Sequence, residues 1–241
     1  MTPLLVTRGL SRHYGGVRAV ENVDFMLPKG EIRAIIGPNG AGKTTFVSLV
    51  CGRVEPSAGT IHFDGRDITR LPAHRRVRLG IAYTFQITSV FARLTAYDNV
   101  ALPVQRTAES NDGTLHRTVM ETLDRVGLAG HEKTLAGALS YGHQRLLEVA
   151  MGLALKPRLL ILDEPTQGLS DHDIEGFIVL IREIARTATV LVIEHNMPVV
   201  MELADRITVF EAGTILAEGP PAEIRASRAV QEAYLGTPHN G

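Results

Sequence analysis

A glycine-rich segment with one lysine, Gly37–Thr44, has the residue types that bind a chain of phosphates. Its sequence, GPNGAGKT, fits the pattern G-x-x-x-x-G-K-[S/T]. Glycines let the backbone approach phosphates closely, and N–H groups at a helix N-terminus favour negative charge. Lys43 is predicted to reach the β- and γ-phosphates, and Thr44 to place its hydroxyl on Mg²⁺. The predicted nucleotide contacts of this segment are Gly37, Asn39, Gly40, Gly42, Lys43, Thr44 and Thr45.

Two adjacent carboxylates end an apolar run later in the chain. Leu159–Leu162 is typical of a buried strand, and Asp163 and Glu164 follow it directly. The carboxyl ends of strands in an α/β sheet form the edge at which ligands bind. Asp163 is predicted to join the Mg²⁺ shell, directly or through water, and Glu164 to polarise the attacking water as general base. The alternative is a plain acidic helix start before Pro165, and the phosphate-binding loop argues against it.

The first part of the chain is predicted to position the loop. Residues 1–36 are predicted as strands, and a helix is predicted from Lys43 to Cys51, ending at Gly52. Asp64-Gly65 is a strong hairpin signal between the predicted strands 59–63 and 66–69.

The rest of the chain changes from helical to alternating patterns. Residues 95–155 have helical periodicity, with a loop predicted at 111–113. Beyond them, apolar strands at 159–162, 190–193 and 207–210 alternate with helices, which favours a mostly parallel α/β sheet with a helical insertion.

Composition excludes several function classes. The chain has 241 residues, 44% of them hydrophobic and 21% charged, which is ordinary for a soluble globular protein. The formal net charge of −1 argues against a strongly basic nucleic-acid binder. The single cysteine, Cys51, favours a reducing compartment. No apolar run approaches the roughly 18 residues of a spanning helix, and the N-terminus has no secretory pattern.

Four further motifs accompany the loop and the carboxylate pair. They are Thr84-Phe85-Gln86, Leu139-Ser140-Tyr141-Gly142-His143-Gln144, Gly168-Leu169-Ser170-Asp171 and Val192-Ile193-Glu194-His195. In this order, the whole set resembles the ATP-binding subunits of ABC transporters over nearly the entire chain. The second motif resembles the signature usually written Leu-Ser-Gly-Gly-Gln, and it departs from that signature at Tyr141 and His143.

The resemblance implies a role for one residue of each motif. Gln86 corresponds to the glutamine that contacts Mg²⁺ or water and couples to the membrane partner. For Ser140 and Gly142 the resemblance implies contact with a γ-phosphate, at the start of a helix that Ser140 would cap. Asp171 has the position of the aspartate in the family's D-loop, and His195 that of the histidine that senses the γ-phosphate and assists catalysis. Outside these motifs, Tyr14 resembles the aromatic residue that stacks on adenine.

The fold and domains implied by the resemblance agree with the strand and helix patterns. The expected fold is α/β, with a P-loop NTPase core built on a mostly parallel sheet, an antiparallel β subdomain and an inserted α-helical subdomain. Residues 1–88 would form the first part of the core, 89–154 the helical subdomain and 155–241 the second part with the C-terminal helices.

The resemblance also implies partners. ATP would close a head-to-tail dimer, either a homodimer or a heterodimer with a second ATPase, and hydrolysis would reopen it to drive permease subunits. Residues 80–86, the Tyr141-Gly142 pair, residues 193–197 and the tail 232–236 are similar to the ATPases of branched-chain amino acid importers. An importer of this type implies an extracytoplasmic solute-binding protein and a place on the cytoplasmic face of the membrane.

Three alternatives stay open at this point. A lipid or lipopolysaccharide exporter ATPase has a similar length and signature. A nucleic-acid ATPase would use the basic cluster Arg70, Arg75, Arg76 and Arg78, although no aromatic stacking platform accompanies it and no nucleic acid is expected. A regulatory module that holds ATP without hydrolysing it is disfavoured by the intact Lys43, Asp163, Glu164 and His195.

Overall fold

The computed structural model describes residues 3–84, 89–107 and 112–235. Its strands are β1 (Pro3–Tyr14), β2 (Val17–Pro28), β3 (Ile32–Ile36), β4 (Ala58–Phe63), β5 (Arg66–Asp67), β6 (Ile81–Tyr83), β7 (Leu159–Asp163), β8 (Thr189–Ile193), β9 (Arg206–Glu211) and β10 (Thr214–Gly219). Its α-helices are α1 (Lys43–Cys51), α2 (Ala73–Arg78), α3 (Ala96–Thr107), α4 (Asp112–Arg125), α5 (Tyr141–Ala154), α6 (Asp171–Ala185), α7 (Met197–Leu203), α8 (Pro221–Ala226) and α9 (Arg228–Leu235). A 3₁₀ turn covers Ala136–Ala138.

A mostly parallel sheet carries the site. Its strand order is β10-β9-β3-β8-β7-β6, and every neighbouring pair is parallel except β10 with β9. All five residues of β3, β7 and β8 are buried, as expected for central parallel strands covered on both faces. The predicted mostly parallel sheet is therefore confirmed, and the carboxyl ends of these strands meet at one edge.

A smaller antiparallel sheet has the order β2-β1-β4-β5. The predicted hairpin at Asp64-Gly65 is confirmed, and both residues have the positive φ angles of a tight primed turn. The strand after this turn ends at Asp67 rather than at the predicted residue 69, because the Thr69 side chain accepts a hydrogen bond from the Ile61 N–H at 2.9 Å.

The helices pack on the two faces of the parallel sheet. Helix α1 lies between the two sheets, where Phe46 packs against Phe25 and Phe210. Helices α3, α4, α5 and α6 share one apolar core with β7 and β8. Helix α4 begins at Asp112, so the loop predicted for residues 111–113 is wrong for its last two residues, and Asn111 lies outside the described residues. The division of the chain at 88/89 and 154/155 stays a prediction.

Arg76 is not part of a surface basic cluster. Arg70, Arg75 and Arg78 are exposed, whereas the Arg76 side chain is buried. Its guanidinium donates to the carbonyls of Leu49, Val50, Thr69 and Leu71 at 2.7–3.0 Å. In the part of the chain that the structure describes, no helix combines the length and the apolar character needed to cross a membrane.

Candidate functional site

The phosphate-binding loop connects β3 to α1 and is held against two other strands by its glycines. Gly37 has φ 150°, and a Cβ there would lie 2.2 Å from the Phe210 carbonyl oxygen. Gly42 has φ 99°, and a Cβ there would lie 2.3 Å from the Ala19 carbonyl oxygen. A side chain at either position would collide with backbone, so the loop path requires glycine.

Lys43 opens α1 and points back over the loop. Its Nζ donates to the carbonyl oxygens of Gly37 at 2.6 Å and Pro38 at 2.9 Å. Burial lowers the pKa of Lys43, and the negative charges of Glu164 and Asp163 oppose that shift. The first turn of α1 has no acidic residue and no side-chain cap, so it combines a positive helix end with a lysine.

Asp163 ends β7 and is almost completely buried. Its carboxylate accepts a 2.7 Å hydrogen bond from the Tyr83 hydroxyl at the end of the adjacent strand β6. Burial raises the pKa of Asp163, while the Tyr83 hydrogen bond and the Lys43 charge oppose that shift. Sequence reasoning gave Tyr83 no role and missed this contact with a predicted Mg²⁺ ligand.

Glu164 is held in an unusual backbone conformation. Its φ of 47° lies in the left-handed region, which costs a non-glycine residue roughly 1–2 kcal/mol. Its N–H donates to the Ile193 carbonyl at 2.8 Å, which ties it to the end of β8. The Glu164 Oε2 lies 3.9 Å from His195 Nδ1, and the His195 side chain is 59% exposed.

A second buried carboxylate, Glu194, joins the two turns that carry Glu164 and His195. One oxygen accepts hydrogen bonds from the N–H and hydroxyl of Thr166, and the other from the N–H groups of His195 and Asn196. Sequence reasoning used Glu194 only as a mark of the importer branch. The sequence did contain a signal for a buried role of Glu194, because this residue follows an apolar strand as Asp163 does.

The signature segment lies beside the turn that precedes α6. Ser140 caps α5 and accepts from the His143 N–H at 3.2 Å, as predicted. A Cβ at Gly142 would lie 3.5 Å from an Asp173 carboxylate oxygen, and a Cβ at Gly168 would lie 2.9 Å from the Tyr141 ring.

The acidic first turn of α6 is capped by Ser170. Ser170 accepts from the Asp173 N–H at 3.3 Å, and Asp171 is an exposed first residue of α6. The structure thus groups Ser140, Gly142 and the 168–173 segment.

The remaining predicted residues are placed as follows. Thr44 and Asn39 are exposed, Gly40 is exposed in the loop, and Thr45 lies in the first turn of α1. Tyr14 ends β1 with the Arg12 guanidinium 4.5 Å from its ring centroid, and it is 44% exposed. Gln86 lies outside the described residues. The roles assigned to all of these residues stay predictions.

The sequence matches two family models. The model described as ABC transporter matches residues 20–167, which is more than half of the chain. The model described as branched-chain amino acid ATP-binding cassette transporter matches residues 214–240. The protein therefore belongs to the ABC transporter family, as an ATP-binding cassette.

Curated relatives indicate which branch of the ABC transporter family the chain resembles. The chain is 38% identical to the high-affinity branched-chain amino acid transport ATP-binding protein LivG of Escherichia coli strain K12, over 97% of this chain and 98% of that protein. It is 36% identical to the BraF protein of the same description from Pseudomonas aeruginosa, with the same coverage. The expected resemblance to the importer branch is confirmed.

Solved structures confirm the expected fold. The ADP conformation of an ATP-binding cassette of an ABC transporter matches with a TM-score of 0.88 at 26% identity, covering 98% of this chain and all of that one. The cbiO1 protein of Clostridium perfringens, described as part of an ABC transporter complex, matches with a TM-score of 0.87 at 26% identity, covering 99% of this chain and 97% of that one.

Proposed function

We propose that this chain hydrolyses ATP to power the import of branched-chain or similar hydrophobic amino acids through separate permease subunits. The observation that carries the importer assignment is the match to LivG and BraF over nearly the full length of all three chains, joined by the match of residues 214–240 to the importer model. The reaction site supports it, because Lys43, Asp163, Glu164 and His195 lie at the carboxyl ends of neighbouring parallel strands or just beyond them.

Nucleotide binding uses the first turn of α1. The loop and helix N–H groups face the phosphates, with Lys43 on the β- and γ-phosphates and the Tyr14 ring on adenine. The donor set also fits Mg²⁺, because the Thr44 hydroxyl and the Asp163 carboxylate are oxygen ligands of the kind this ion prefers, with Gln86 as a further one. When bound, Mg²⁺ neutralises charge on the phosphate oxygens.

In the hydrolysis step, Glu164 accepts the proton. Its carboxylate takes a proton from water as the water oxygen attacks the γ-phosphorus and the bond to the β-phosphate oxygen breaks, which releases ADP and phosphate. His195, 3.9 Å away, holds Glu164 and contacts the γ-phosphate. Ser140, Gly142 and Asp171 act on the ATP site of a second cassette, so two subunits build each complete site. That second cassette is another copy of this chain or a related ATPase.

The transport system has further members. Permease subunits cross the membrane, an extracytoplasmic binding protein delivers the solute, and this chain sits on the cytoplasmic face. Closing of the two cassettes around ATP and their reopening after hydrolysis drive the permease.

Glu164→Gln tests both halves of the proposal in one set of proteoliposomes. The wild-type chain is reconstituted with permease subunits and a solute-binding protein of a branched-chain amino acid importer from the same organism, and the readouts are ATP turnover and uptake of radiolabelled leucine. Wild type is expected to couple the two. The variant should lose turnover by about 100-fold or more, since general-base catalysis supplies that factor, while it still binds ATP and accumulates as a closed dimer.

The matched control is Glu121→Gln, which neutralises an exposed glutamate on α4 and should leave both activities unchanged. Full turnover in Glu164→Gln would contradict the assignment of the base. ATP-dependent release of lipid without leucine uptake would contradict the importer assignment and favour an exporter.

A further inference from the structure

Glu194 is a buried carboxylate placed between two turns of the reaction site. Only 1% of the residue is exposed. Oε1 accepts from the Thr166 N–H at 3.1 Å and from the Thr166 hydroxyl, and Oε2 accepts from the N–H groups of His195 at 2.7 Å and Asn196 at 3.0 Å. Its own N–H donates to the Ile35 carbonyl at 3.3 Å, on the strand that leads into the phosphate-binding loop.

The chemistry of these contacts requires a carboxylate. A buried ionised carboxylate is stable only when its oxygens are hydrogen-bonded, and here four donors meet two oxygens. A glutamine in the same place has a single acceptor oxygen and an NH₂ group that only donates. It would therefore leave one of the two turns facing a donor instead of an acceptor.

The two turns carry the groups that act on water and phosphate. Thr166 is two residues beyond Glu164, and His195 directly follows Glu194. The His195 side chain is mostly exposed, whereas its backbone N–H is held by a hydrogen bond to Glu194. The 3.9 Å between Glu164 Oε2 and His195 Nδ1 thus depends on how the two turns are joined.

We propose that Glu194 is a positioning residue for ATP hydrolysis, locking the Glu164 turn to the His195 turn through Thr166. This inference rests on the proposed function, in which Glu164 is the base. It assigns to Glu194 no contact with nucleotide, and it predicts that the two partners of the lock, Glu194 and Thr166, act as one unit.

The test measures kcat and KM for ATP, with the melting temperature, on the full-length chain. Glu194→Gln should lower kcat by about 10- to 100-fold, the scale expected for small misplacements of reacting groups, and change KM by less than about threefold. Thr166→Val should also lower kcat, while Thr166→Ser, which keeps the hydroxyl, should retain it. The Glu194→Gln/Thr166→Val double variant should be no slower than the slower single variant, because linked residues are not additive.

The control is Asp205→Asn. Asp205 also accepts a backbone N–H, from Ile32 at 2.8 Å, but at the opposite end of the sheet, so its loss should leave kcat unchanged. An unchanged kcat in Glu194→Gln, an effect confined to KM, or additive losses in the double variant would overturn the inference. If Glu194→Gln does not fold, equal kcat values for Thr166→Val and Thr166→Ser would overturn it. Absence of ATPase activity in the wild-type chain reconstituted with its permeases and a second cassette would instead contradict the proposed function itself.

Discussion

Asp163 combines burial with a charge that the folded protein does not stabilise well. Burial raises the pKa of its carboxyl, so the folded chain binds the proton more tightly than the unfolded chain does. The free energy of unfolding therefore rises as pH falls through the interval between the unfolded and folded pKa values, and neutral pH carries the full cost of the charge. A predicted Mg²⁺ ligand is thus kept at the expense of stability.

We expect Asp163→Asn to melt at a higher temperature than wild type at neutral pH, without nucleotide or Mg²⁺. The advantage should shrink as pH falls, since wild type then becomes protonated and loses the same charge. Circular dichroism melts between about pH 4.5 and 8 measure this. Asp124→Asn, at an exposed position of α4, should change stability by less than about 0.5 kcal/mol. A variant less stable than wild type at neutral pH would show that the carboxylate's partners outweigh its burial.

The two ends of helix α1 differ in whether a side chain hydrogen-bonds to their backbone groups. Its N-terminus has no side-chain cap, and at its C-terminus the carbonyls of Leu49 and Val50 accept hydrogen bonds from the Arg76 guanidinium at 2.7–2.8 Å. Gly52 completes that end in the left-handed conformation that the sequence predicted. The element that holds Lys43 in place is therefore anchored by a residue on α2.

Arg76→Ala should destabilise the protein by about 3 kcal/mol, because it removes the buried guanidinium that donates to four carbonyls. Of these, the Leu49 carbonyl keeps the Gly52 N–H as a donor. Urea denaturation followed by circular dichroism gives the value. Arg75→Ala is the matched control, since Arg75 is exposed on the same helix, and it should cost less than about 0.5 kcal/mol. Equal losses in the two variants would contradict the anchoring role.

Elements with a local signal were predictable, and contacts between distant residues were not. The apolar runs of β7 and β8 and the glycine spacing around α1 report local burial and backbone geometry, so the sequence predicted them. The Tyr83–Asp163 hydrogen bond joins residues 80 positions apart, and the Arg76 contacts depend on how α2 docks. Tertiary packing decides such pairs, and composition or periodicity does not contain them.

At the scale of the whole molecule, the helices α3–α5 share a core with the sheet, and a buried ion pair lies within that junction. Arg145 and Glu148, both on α5, meet at 2.8 Å and are almost completely buried. Glu148 also accepts from the N–H and hydroxyl of Ser89, at the start of the segment that leads into α3. One carboxylate therefore connects the helix of the signature to the chain just after Gln86.

Removing either partner of this pair should cost about 3–5 kcal/mol of unfolding free energy, because the charge that stays in the core loses its ion-pair partner at 2.8 Å. Arg145→Met and Glu148→Leu are the single variants, and Arg145→Met/Glu148→Leu replaces both charges with apolar groups of similar length. We expect the double variant to be more stable than Arg145→Met alone, since hydrophobic replacement of a buried pair is often neutral or stabilising. Urea denaturation measures all three. A double variant that loses as much as the two single losses together would mean that the pair contributes through its packing and its bond to Ser89 rather than through mutual neutralisation.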